Sequence, residues 1–313
     1  MSENWMSHSV RQQLEVEGTT AHRVYTSSSA WIDRYGFYYV ISSMRENDAA
    51  ILLAALEKWI EKDRDFPLPQ AVFFRHLVVA AKRENTPHLL IGNAPQERIS
   101  ILENGLQYLI DFRAGYSVGL FCDQRKNRAF LAERVKGLSE AKLLNCFSYT
   151  CAFSIAAACA NPKLQTINLD LSAKFLNWGK ENYILNKLLK EGRNHHEFWR
   201  CDVMKRLPRL SREGRKFNII ILDPPSFSRG EKGRVFRVLD DFKDLVDLAI
   251  QCAAINACIL LSSNHSQLSL RNLRNIGSVA AGKNARRCRF HQEAIPKEFE
   301  NGPAATSLWM EMD

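Results

Sequence analysis

The hydrophobic and polar positions of this chain follow one pattern up to about residue 112 and a different pattern beyond it. In the first segment, Asp48–Lys62 carries an apolar residue every three or four positions, which predicts an amphipathic helix. Short apolar runs predict strands, with turns at Asp33–Gly36 and Asn104-Gly105. The predicted strands are Ala21–Tyr25, Phe37–Ser42, Ala71–Leu77, His88–Ile91, Arg98–Glu103 and Gln107–Phe112. We therefore expect a small α+β domain over residues 1–112, loosely ordered over residues 1–20.

Beyond residue 113, segments typical of strands alternate with segments typical of helices. The predicted strands are Lys142–Phe147, Gln165–Leu169, Glu197–Arg200, Phe217–Leu222 and Ala257–Leu261, and the predicted helices are Cys151–Ala160, Ala173–Asn186, Val203–Arg212 and Leu239–Ala254. The runs Ile219–Leu222 and Ile259–Leu261 are continuously apolar, which is typical of strands buried on both faces. The alternation predicts an α/β domain over residues 113–313, with a mostly parallel sheet covered by helices on both sides.

The formal net charge of the chain is +9, with basic clusters at residues 205–216, 229–237 and 286–289. Such a charge favours contact with a polyanion such as RNA, although a basic surface without a partner has the same composition. No apolar run approaches the roughly 20 residues that span a bilayer, and the N-terminus lacks the pattern of a secretory signal. We therefore expect a cytoplasmic protein without membrane contact. The eight scattered cysteines have no metal-ligand spacing, so we expect reduced thiols and no metal site.

Three of the first four strands of the second segment are followed by an aspartate, namely Asp170, Asp202 and Asp223. The carboxyl ends of parallel strands meet at one edge of a sheet, where ligands bind. Helix capping could explain each aspartate taken singly, but three of them beside the Pro224-Pro225 loop favour a binding site. Asp170 could hold both ribose hydroxyls of a nucleoside cofactor, and Asp202 could contact the adenine edge.

The loop after the first strand of this sheet contains no glycine, and the chain has no GxGxxG sequence. The pyrophosphate of a dinucleotide needs glycine in this loop so that the backbone can approach its phosphates. S-adenosylmethionine has no phosphate, so its binding depends less on such a loop. The missing glycines therefore argue against an NAD or FAD enzyme. In a site for S-adenosylmethionine, this loop would approach the methionine part of the cofactor.

Four segments resemble the group of 23S ribosomal RNA large-subunit methyltransferases that make 5-methylcytosine and 7-methylguanine. They are LLNCFSYTCAFSIAA at residues 143–157, INLDLSAKFLNWGKENYILNK at 167–187, FNIIILDPPSFSRG at 217–230 and Gly119–Arg125. The resemblance covers about residues 98–265. It implies a class I S-adenosylmethionine-dependent methyltransferase with a Rossmann-like fold, active in ribosomal RNA processing. It also makes the α+β domain a candidate for contact with the RNA.

The resemblance further implies which residues bind the cofactor. In this sequence they are Phe121, Asp123, Arg125, Asn145, Phe147, Ser148, Tyr149, Thr150, Asp170, Asp202 and Asp223, and we add the neighbouring Leu171, Ser172 and Val203. One position departs from the group: Cys151 stands where glycine is common after Tyr-Thr. This departure and the missing glycines motivate an alternative, that the chain is a non-catalytic RNA-binding protein on a decayed methyltransferase fold.

The base atom that receives the methyl group depends on the cysteines. Methylation of cytosine at carbon 5 needs a thiolate that attacks carbon 6, and the 5-methylcytosine branch is expected to carry it just after the fifth strand. This chain has Ser262-Ser263-Asn264 there. We expect Cys258 at the opposite, N-terminal end of that strand and Cys201 on the adenine side, so neither thiol is placed for attack.

Methylation of a ring nitrogen or an exocyclic amine needs only a lone pair that is held in line with the methyl group. Asp223, Pro224 and Pro225 could supply a rigid acceptor for this, and Phe227 could stack on the base. Ser262-Ser263-Asn264 also resembles the 7-methylguanine branch more than the 5-methylcytosine branch. We therefore predict methylation of a base nitrogen in ribosomal RNA, with guanine favoured. The alternatives are formation of 5-methylcytosine and methylation of a small molecule or a protein.

Overall fold

The computed structural model describes residues 4–62, 66–77, 86–189, 195–229 and 235–313. Packing divides the chain into two compact units. The first comprises Met1–Arg125 and Ile295–Ala304, and the second comprises Lys126–Ala294 and Ala305–Asp313. The boundary after residue 112, which we placed where the sequence rhythm changes, stays a prediction about where the catalytic domain begins.

The first unit contains an N-terminal helix, α1 (His8–Val16), where we expected loose order. The hydroxyl of Ser7 caps this helix by accepting a hydrogen bond from the main-chain nitrogen of Val10, and Arg11 and Leu14 are buried. The expectation was therefore wrong for these residues. A helix that buries one leucine has too weak an apolar period to be recognised in the sequence.

A five-stranded sheet follows in the first unit. Its elements are β1 (Ala21–Thr26), β2 (Ala30–Tyr35), β3 (Tyr38–Ser43), α2 (Asp48–Lys62), β4 (Ala71–His76) and β5 (His88–Gly92). The strands lie in numerical order; β3 and β4 pair in parallel and the other neighbours pair antiparallel. Helix α2 has the predicted bounds and packs Leu52, Leu56 and Ile60 into the core. The strand pair predicted around Asp33–Gly36 is a three-stranded meander, because β2 lies between the two predicted strands.

A separate hairpin of β6 (Ile99–Glu103) and β7 (Leu106–Ile110) ends the strands of the first unit. Its turn residues Asn104 and Gly105 have φ angles of 50° and 74°. Both values are positive, as the favoured two-residue hairpin turns require. The hairpin predicted at this position is confirmed.

The second unit alternates helices and strands, starting with a helix whose first residue closes the first unit. Its elements are α3 (Arg125–Val135), β8 (Lys142–Cys146), α4 (Ala152–Ala160), β9 (Gln165–Asp170), α5 (Ala173–Leu185), β10 (His196–Arg200), α6 (Val203–Arg212), β11 (Phe217–Leu222), β12 (Phe227–Arg229), β13 (Val235–Arg237), α7 (Val238–Ile250), β14 (Ala253–Ser263), α8 (Leu270–Lys283), β15 (Cys288–His291) and β16 (Thr306–Met312). None of the helices in the described residues is long and apolar enough to cross a membrane.

Seven strands form the sheet of the second unit, in the order β10-β9-β8-β11-β14-β16-β15. The first five are parallel, and β16 pairs antiparallel with both of its neighbours. Alternate residues of β11 face two separate cores: Ile220 and Leu222 pack with α6, α7 and α8, whereas Ile219 and Ile221 pack with α3 and α4. The predicted Rossmann-like architecture is therefore confirmed.

Strand β8 lies near the centre of this sheet. From it the chain moves outward to β9 and β10, and then returns to β11 on the other side of β8. In such sheets, ligands bind beyond the carboxyl ends of the strands where the order reverses. The loops after β8 and β11 therefore flank the expected ligand position.

Candidate active site

The loop after β8 turns sharply without glycine. Phe147, Tyr149 and Cys151 have φ angles of 56°, 48° and 64°, so three alternate residues adopt the left-handed conformation. This conformation costs on the order of 1 kcal/mol for each residue with a Cβ atom. Strained conformations persist where the surroundings over-determine them, and they cluster at functional sites. This conformation could not be predicted from the sequence, because glycine is its usual marker and the loop contains none.

The main-chain N–H groups of this loop are largely used within the protein. Ser148 donates to the carbonyl oxygen of Leu169 at 2.9 Å, and Cys151 donates to that of Ser148 at 2.7 Å. Tyr149 donates to Oδ2 of Asp170 at 3.0 Å. A phosphate cradle needs N–H groups that point at the ligand. These three N–H groups already have acceptors, so the loop fits a cofactor without phosphates at this point.

Asp170, the last residue of β9, connects two loops. Its Oδ2 accepts the hydrogen bond from Tyr149, and its Oδ1 accepts one from the main-chain nitrogen of Ser172 at 2.8 Å. Burial raises the pKa of Asp170, and these hydrogen bonds oppose that effect. A carboxylate offers about four acceptor sites, so capacity remains for a ribose hydroxyl.

Two residues of the predicted site cap helices. The hydroxyl of Ser172 accepts a hydrogen bond from the nitrogen of Phe175 at 3.3 Å and caps α5. Oδ1 of Asp202 accepts from the nitrogen of Met204 at 2.9 Å and caps α6. Capping thus occupies one oxygen of Asp202, and its contact with adenine stays a prediction. The side chain of Val203 lies in the core, which leaves its main chain for any cofactor contact.

Asn145 and Thr150 are buried. The Asn145 amide donates to the hydroxyl of Ser154 at 3.0 Å, and that hydroxyl donates to Oδ1 of Asn168 at 2.7 Å. The carbonyl oxygen of Thr150 accepts from the amide of Asn182 at 3.2 Å. These contacts hold the strained loop on its buried side. Phe147 and Tyr149 of the same loop are partly exposed.

The loop after β11 lies beside the loop after β8. Leu222 pairs with Cys146 at the last position of both strands, so Asp223 and Phe147 leave the sheet side by side. Pro224 is buried, whereas Pro225 is exposed. Asp223 is partly exposed and therefore stands where a substrate could reach it.

Phe227 lies in the hairpin of β12 and β13 and is 48% exposed. It pairs across the hairpin with Arg237, whose guanidinium carbon lies 5.6 Å from the centre of its ring. The next aromatic residue of the hairpin, Phe236, is buried 5.3 Å from the ring of Phe147. One aromatic residue of the hairpin thus anchors it to the loop after β8, and the other faces solvent.

Phe121, Asp123 and Arg125 lie in the first unit. Asp123 belongs to a short 3₁₀ helix, and Phe121 precedes it. Arg125 is buried and forms two hydrogen bonds with Glu298, at 2.6 and 3.2 Å. Glu17 lies 3.9 Å from the same guanidinium. These partners give Arg125 a structural role, and the cofactor contacts of all three predicted residues stay predictions.

The cysteines near the site are poorly suited to nucleophilic attack. Strand β14 starts at Ala253, so Cys258 lies in mid-strand and the expectation that it starts the strand was wrong. Burial raises the pKa of Cys258 to about 12. Cys146 and Cys151 stand closer to the ligand edge, where burial also raises their pKa values. All three thiols are therefore protonated at neutral pH, unlike a reactive cysteine.

The chain matches the model of a family described as S-adenosylmethionine-dependent methyltransferase over residues 27–273. It is 34% identical over 226 residues to ribosomal RNA large subunit methyltransferase I of Erwinia tasmaniensis, which covers 70% of this chain and 53% of that protein. It is 29% identical over 298 residues to YwbD of Bacillus subtilis, covering 92% of this chain and 72% of that protein, whose name assigns it provisionally to the same class. The chain thus spans about half the length of the Erwinia relative.

Two solved structures share the fold. One is SMU.776 complexed with SAH, with a TM-score of 0.78, 23% identity and coverage of 96% of this chain and 79% of that chain. The other is a SAM-dependent methyltransferase from Agrobacterium tumefaciens, with a TM-score of 0.69, 21% identity and coverage of 94% and 90%. At these identities, the likeness concerns the fold.

Proposed function

Since the chain belongs to the S-adenosylmethionine-dependent methyltransferase family, we propose that the protein methylates a base nitrogen of ribosomal RNA, with guanine favoured. The observation that carries this proposal is that the loops after β8 and β11 lie side by side where the strand order of the sheet reverses. The loop after β8 and Asp170 form a cofactor side, and the Asp223–Pro225 loop with Phe227 forms a base side.

The residues of the cofactor side fit S-adenosylmethionine. Asp170 has acceptor capacity for a ribose hydroxyl, and the N–H groups of the neighbouring loop are already bonded, as suits a cofactor without phosphates. When bound, S-adenosylmethionine supplies an activated methyl group on a cationic sulfur. The partly exposed Phe147 and Tyr149 line the loop that would face its methionine part.

On the base side, the chain needs to hold a nitrogen lone pair in line with the methyl group. When held by the cofactor side, S-adenosylmethionine would supply the methyl group to this nitrogen, and its sulfur would keep the electron pair of the broken carbon–sulfur bond. Asp223 could accept a hydrogen bond from an amine of the base, while the rings of Pro224 and Pro225 restrict the backbone of the loop. Phe227 offers an exposed ring on which the base could stack.

Ribosomal RNA is proposed as the substrate because the Erwinia relative is named for it and because the net charge of +9 suits a polyanion. A ribosomal substrate is also the reason to propose the cytoplasm as the site of action. Nitrogen is favoured over carbon 5 of cytosine because β14 ends in Ser262-Ser263, where the 5-methylcytosine branch is expected to carry its cysteine, and because burial raises the pKa values of Cys146, Cys151 and Cys258.

Mass spectrometry of nucleosides from ribosomal RNA, incubated with the protein and isotopically labelled S-adenosylmethionine, tests the proposal. We expect the label in a nitrogen-methylated guanosine. Label in 5-methylcytidine would overturn the choice of atom, and label in a co-incubated protein or metabolite alone would overturn the choice of substrate. Calorimetry that detects no cofactor binding would instead support the non-catalytic alternative.

A further inference from the structure

One edge of the large sheet carries a dense group of cations. We call it the basic edge and define it as Arg200, Lys205, Arg206, Arg209, Arg212, Arg215 and Lys216. Arg200 ends the edge strand β10, the next four residues belong to α6, and the last two connect α6 to β11. The carboxylates within residues 196–216 are Glu197, Asp202 and Glu213, so the segment has a clear excess of positive charge.

Two of these cations are held on a tryptophan. The guanidinium carbons of Arg206 and Arg215 lie 4.4 and 5.2 Å from the ring centre of Trp199. The indole nitrogen of Trp199 donates to Glu197 at 3.1 Å, which fixes the ring. Arg206 and Arg215 also pair with Glu213 and Glu197, at 3.3 and 3.6 Å. Stacking on the ring already restricts the conformations of these two side chains, so they lose less conformational entropy when an anion binds.

Other cations of the basic edge face solvent without a carboxylate. Arg200, Arg209 and Arg212 are exposed and form no ion pair with any residue that the structure describes. Arg200 and Arg212 each donate to a main-chain carbonyl oxygen, at 3.3 Å in both cases. Arg209 and Arg212 lie in the last turn of α6, where they favour the helix dipole. That role uses the charges but leaves most of their N–H donors available.

The basic edge starts beside the cofactor side. The carbonyl oxygen that Arg200 contacts belongs to Leu171, the residue after Asp170. From there the cations follow α6, whose ten residues extend about 15 Å, towards the opposite end of the sheet. Ion pairs occur in both regions, but they leave Arg200, Arg209 and Arg212 of the basic edge without a carboxylate among the described residues. In the cluster at residues 286–289, Arg286 and Arg287 both pair with Asp313, at 3.1 and 3.2 Å. Much of the cluster at residues 229–237 lies outside the described residues.

We propose that the basic edge binds the phosphates of the RNA strand whose base enters the active site. The inference rests on the proposed RNA substrate. Phosphate contacts position a nucleic acid without reading its sequence, and planar guanidinium groups suit them. Charge complementarity favours an RNA backbone over a protein partner, because the cations follow one another along a helix and a strand edge.

The test compares two double variants that each remove two positive charges. Arg209→Gln/Arg212→Gln changes the basic edge, and Arg271→Gln/Lys283→Gln changes exposed residues of α8, which packs on the strands at the other edge of the sheet. The binding of a fluorescently labelled fragment of large-subunit ribosomal RNA, transcribed in vitro, is measured by anisotropy over a series of salt concentrations. Calorimetry with S-adenosylmethionine and thermal unfolding check that each variant is intact.

We expect the basic-edge variant to bind the RNA more weakly and its slope of log K against log salt to fall by about 1.4, because each phosphate contact on a single strand contributes about 0.7. The α8 variant should keep the slope of the unchanged protein. If both variants have the same slope of log K against log salt and still bind the RNA, the inference about the basic edge is wrong, but the proposed RNA substrate stands. Failure of the unchanged protein to bind the RNA would overturn both the inference and the proposed substrate.

Discussion

The thiol of Cys151 occupies the space beside Gly179 of α5, where a Cβ atom on that glycine would lie 2.4 Å from Sγ. Cys151 has a φ of 64° and stands where the resembling methyltransferases commonly have glycine. Its side chain therefore fits only because the facing helix has no side chain at this position. The departure at Cys151 is thus accommodated by local packing, which weakens the alternative of a decayed cofactor site.

Gly179→Ala should destabilise the protein. Replacement of glycine by alanine within a helix ordinarily stabilises by about 0.5–1 kcal/mol, but the contact with Cys151 should reverse the sign and cost about 1–3 kcal/mol. Gly282→Ala is the control, because a Cβ atom at Gly282 in α8 would meet nothing within 4 Å. Urea unfolding of both variants measures the difference.

The double variant Cys151→Gly/Gly179→Ala should recover the lost stability, because glycine tolerates the positive φ and removes the obstructing sulfur. If Gly179→Ala proves as stable as Gly282→Ala, the steric relationship described above is wrong.

The elements predicted from sequence were those with strong local patterns. Helix α2 and strand β11 have the bounds expected from their apolar periods. Helix α3 was missed because polar residues dominate it and its buried apolar positions are few, Leu131 and Val135 among them. Strand β16 was missed because its pairing with β14 and β15 depends on the tertiary fold.

In the candidate site, too, features with a local sequence signal could be predicted, whereas features that depend on the tertiary fold could not. Asp170 was expected at the carboxyl edge of the sheet because it ends a strand, and there it accepts a hydrogen bond from Tyr149 of the loop after β8. The left-handed residues of that loop and the internal bonding of Asn145 could not be predicted. Both depend on contacts between elements that are distant in sequence.

Asp170→Ala should weaken the binding of S-adenosylmethionine by about 1–3 kcal/mol, the cost of unmatched hydroxyl partners. Isothermal titration calorimetry measures this loss. The affinity of Asp202→Asn for the cofactor is measured for comparison, because the amide oxygen of this variant can still cap α6 while the negative charge is removed. If Asp170→Ala folds cooperatively and binds the cofactor with unchanged affinity, Asp170 serves the loop alone and does not belong to the cofactor site.

Acid should destabilise the protein through His196. Burial lowers the pKa of His196 to about 4, and the neighbouring His195 adds to the effect. Below pH 6.5 this histidine becomes protonated in the unfolded chain, whereas in the folded protein it stays neutral until about pH 4. The free energy of unfolding therefore falls as the pH is lowered from 6.5 to 4.

His196→Gln should therefore flatten the dependence of the unfolding free energy on pH between 6.5 and 4, by at most about 1.4 kcal/mol per pH unit. Urea unfolding at several pH values measures it. Part of the dependence should persist, because burial also lowers the pKa of His22. An unaltered pH profile in the variant would show that His196 does not titrate as described.

No cysteine should act as the nucleophile. Cys201→Ser and Cys258→Ser should leave methyl transfer within a small factor of the unchanged protein, because burial keeps the thiol of Cys258 protonated and β14 ends in serine. Asp223→Ala should instead lower the rate of transfer more than the affinity for the cofactor. RNA that contains 5-fluorocytosine provides the decisive measurement: a stable covalent adduct, lost in a cysteine variant, would restore 5-methylcytosine as the product.

Phe227 should contribute to RNA binding without contributing to the core. Its ring is 48% exposed, whereas Phe236 of the same hairpin is buried, so Phe227→Ala should preserve the melting temperature. Stacking of a base on an aromatic ring is worth about 1–3 kcal/mol, so we expect KM for RNA to rise between about fivefold and about 150-fold. Phe227→Trp should retain the affinity because it keeps a flat ring.

Ile255→Ala is the control, since Ile255 is 78% exposed near the start of β14, at the far end of that strand from the site. Equal KM values for Phe227→Ala and Ile255→Ala would remove Phe227 from the base side, and Asp223 would then have to position the base without a stacking partner from this hairpin.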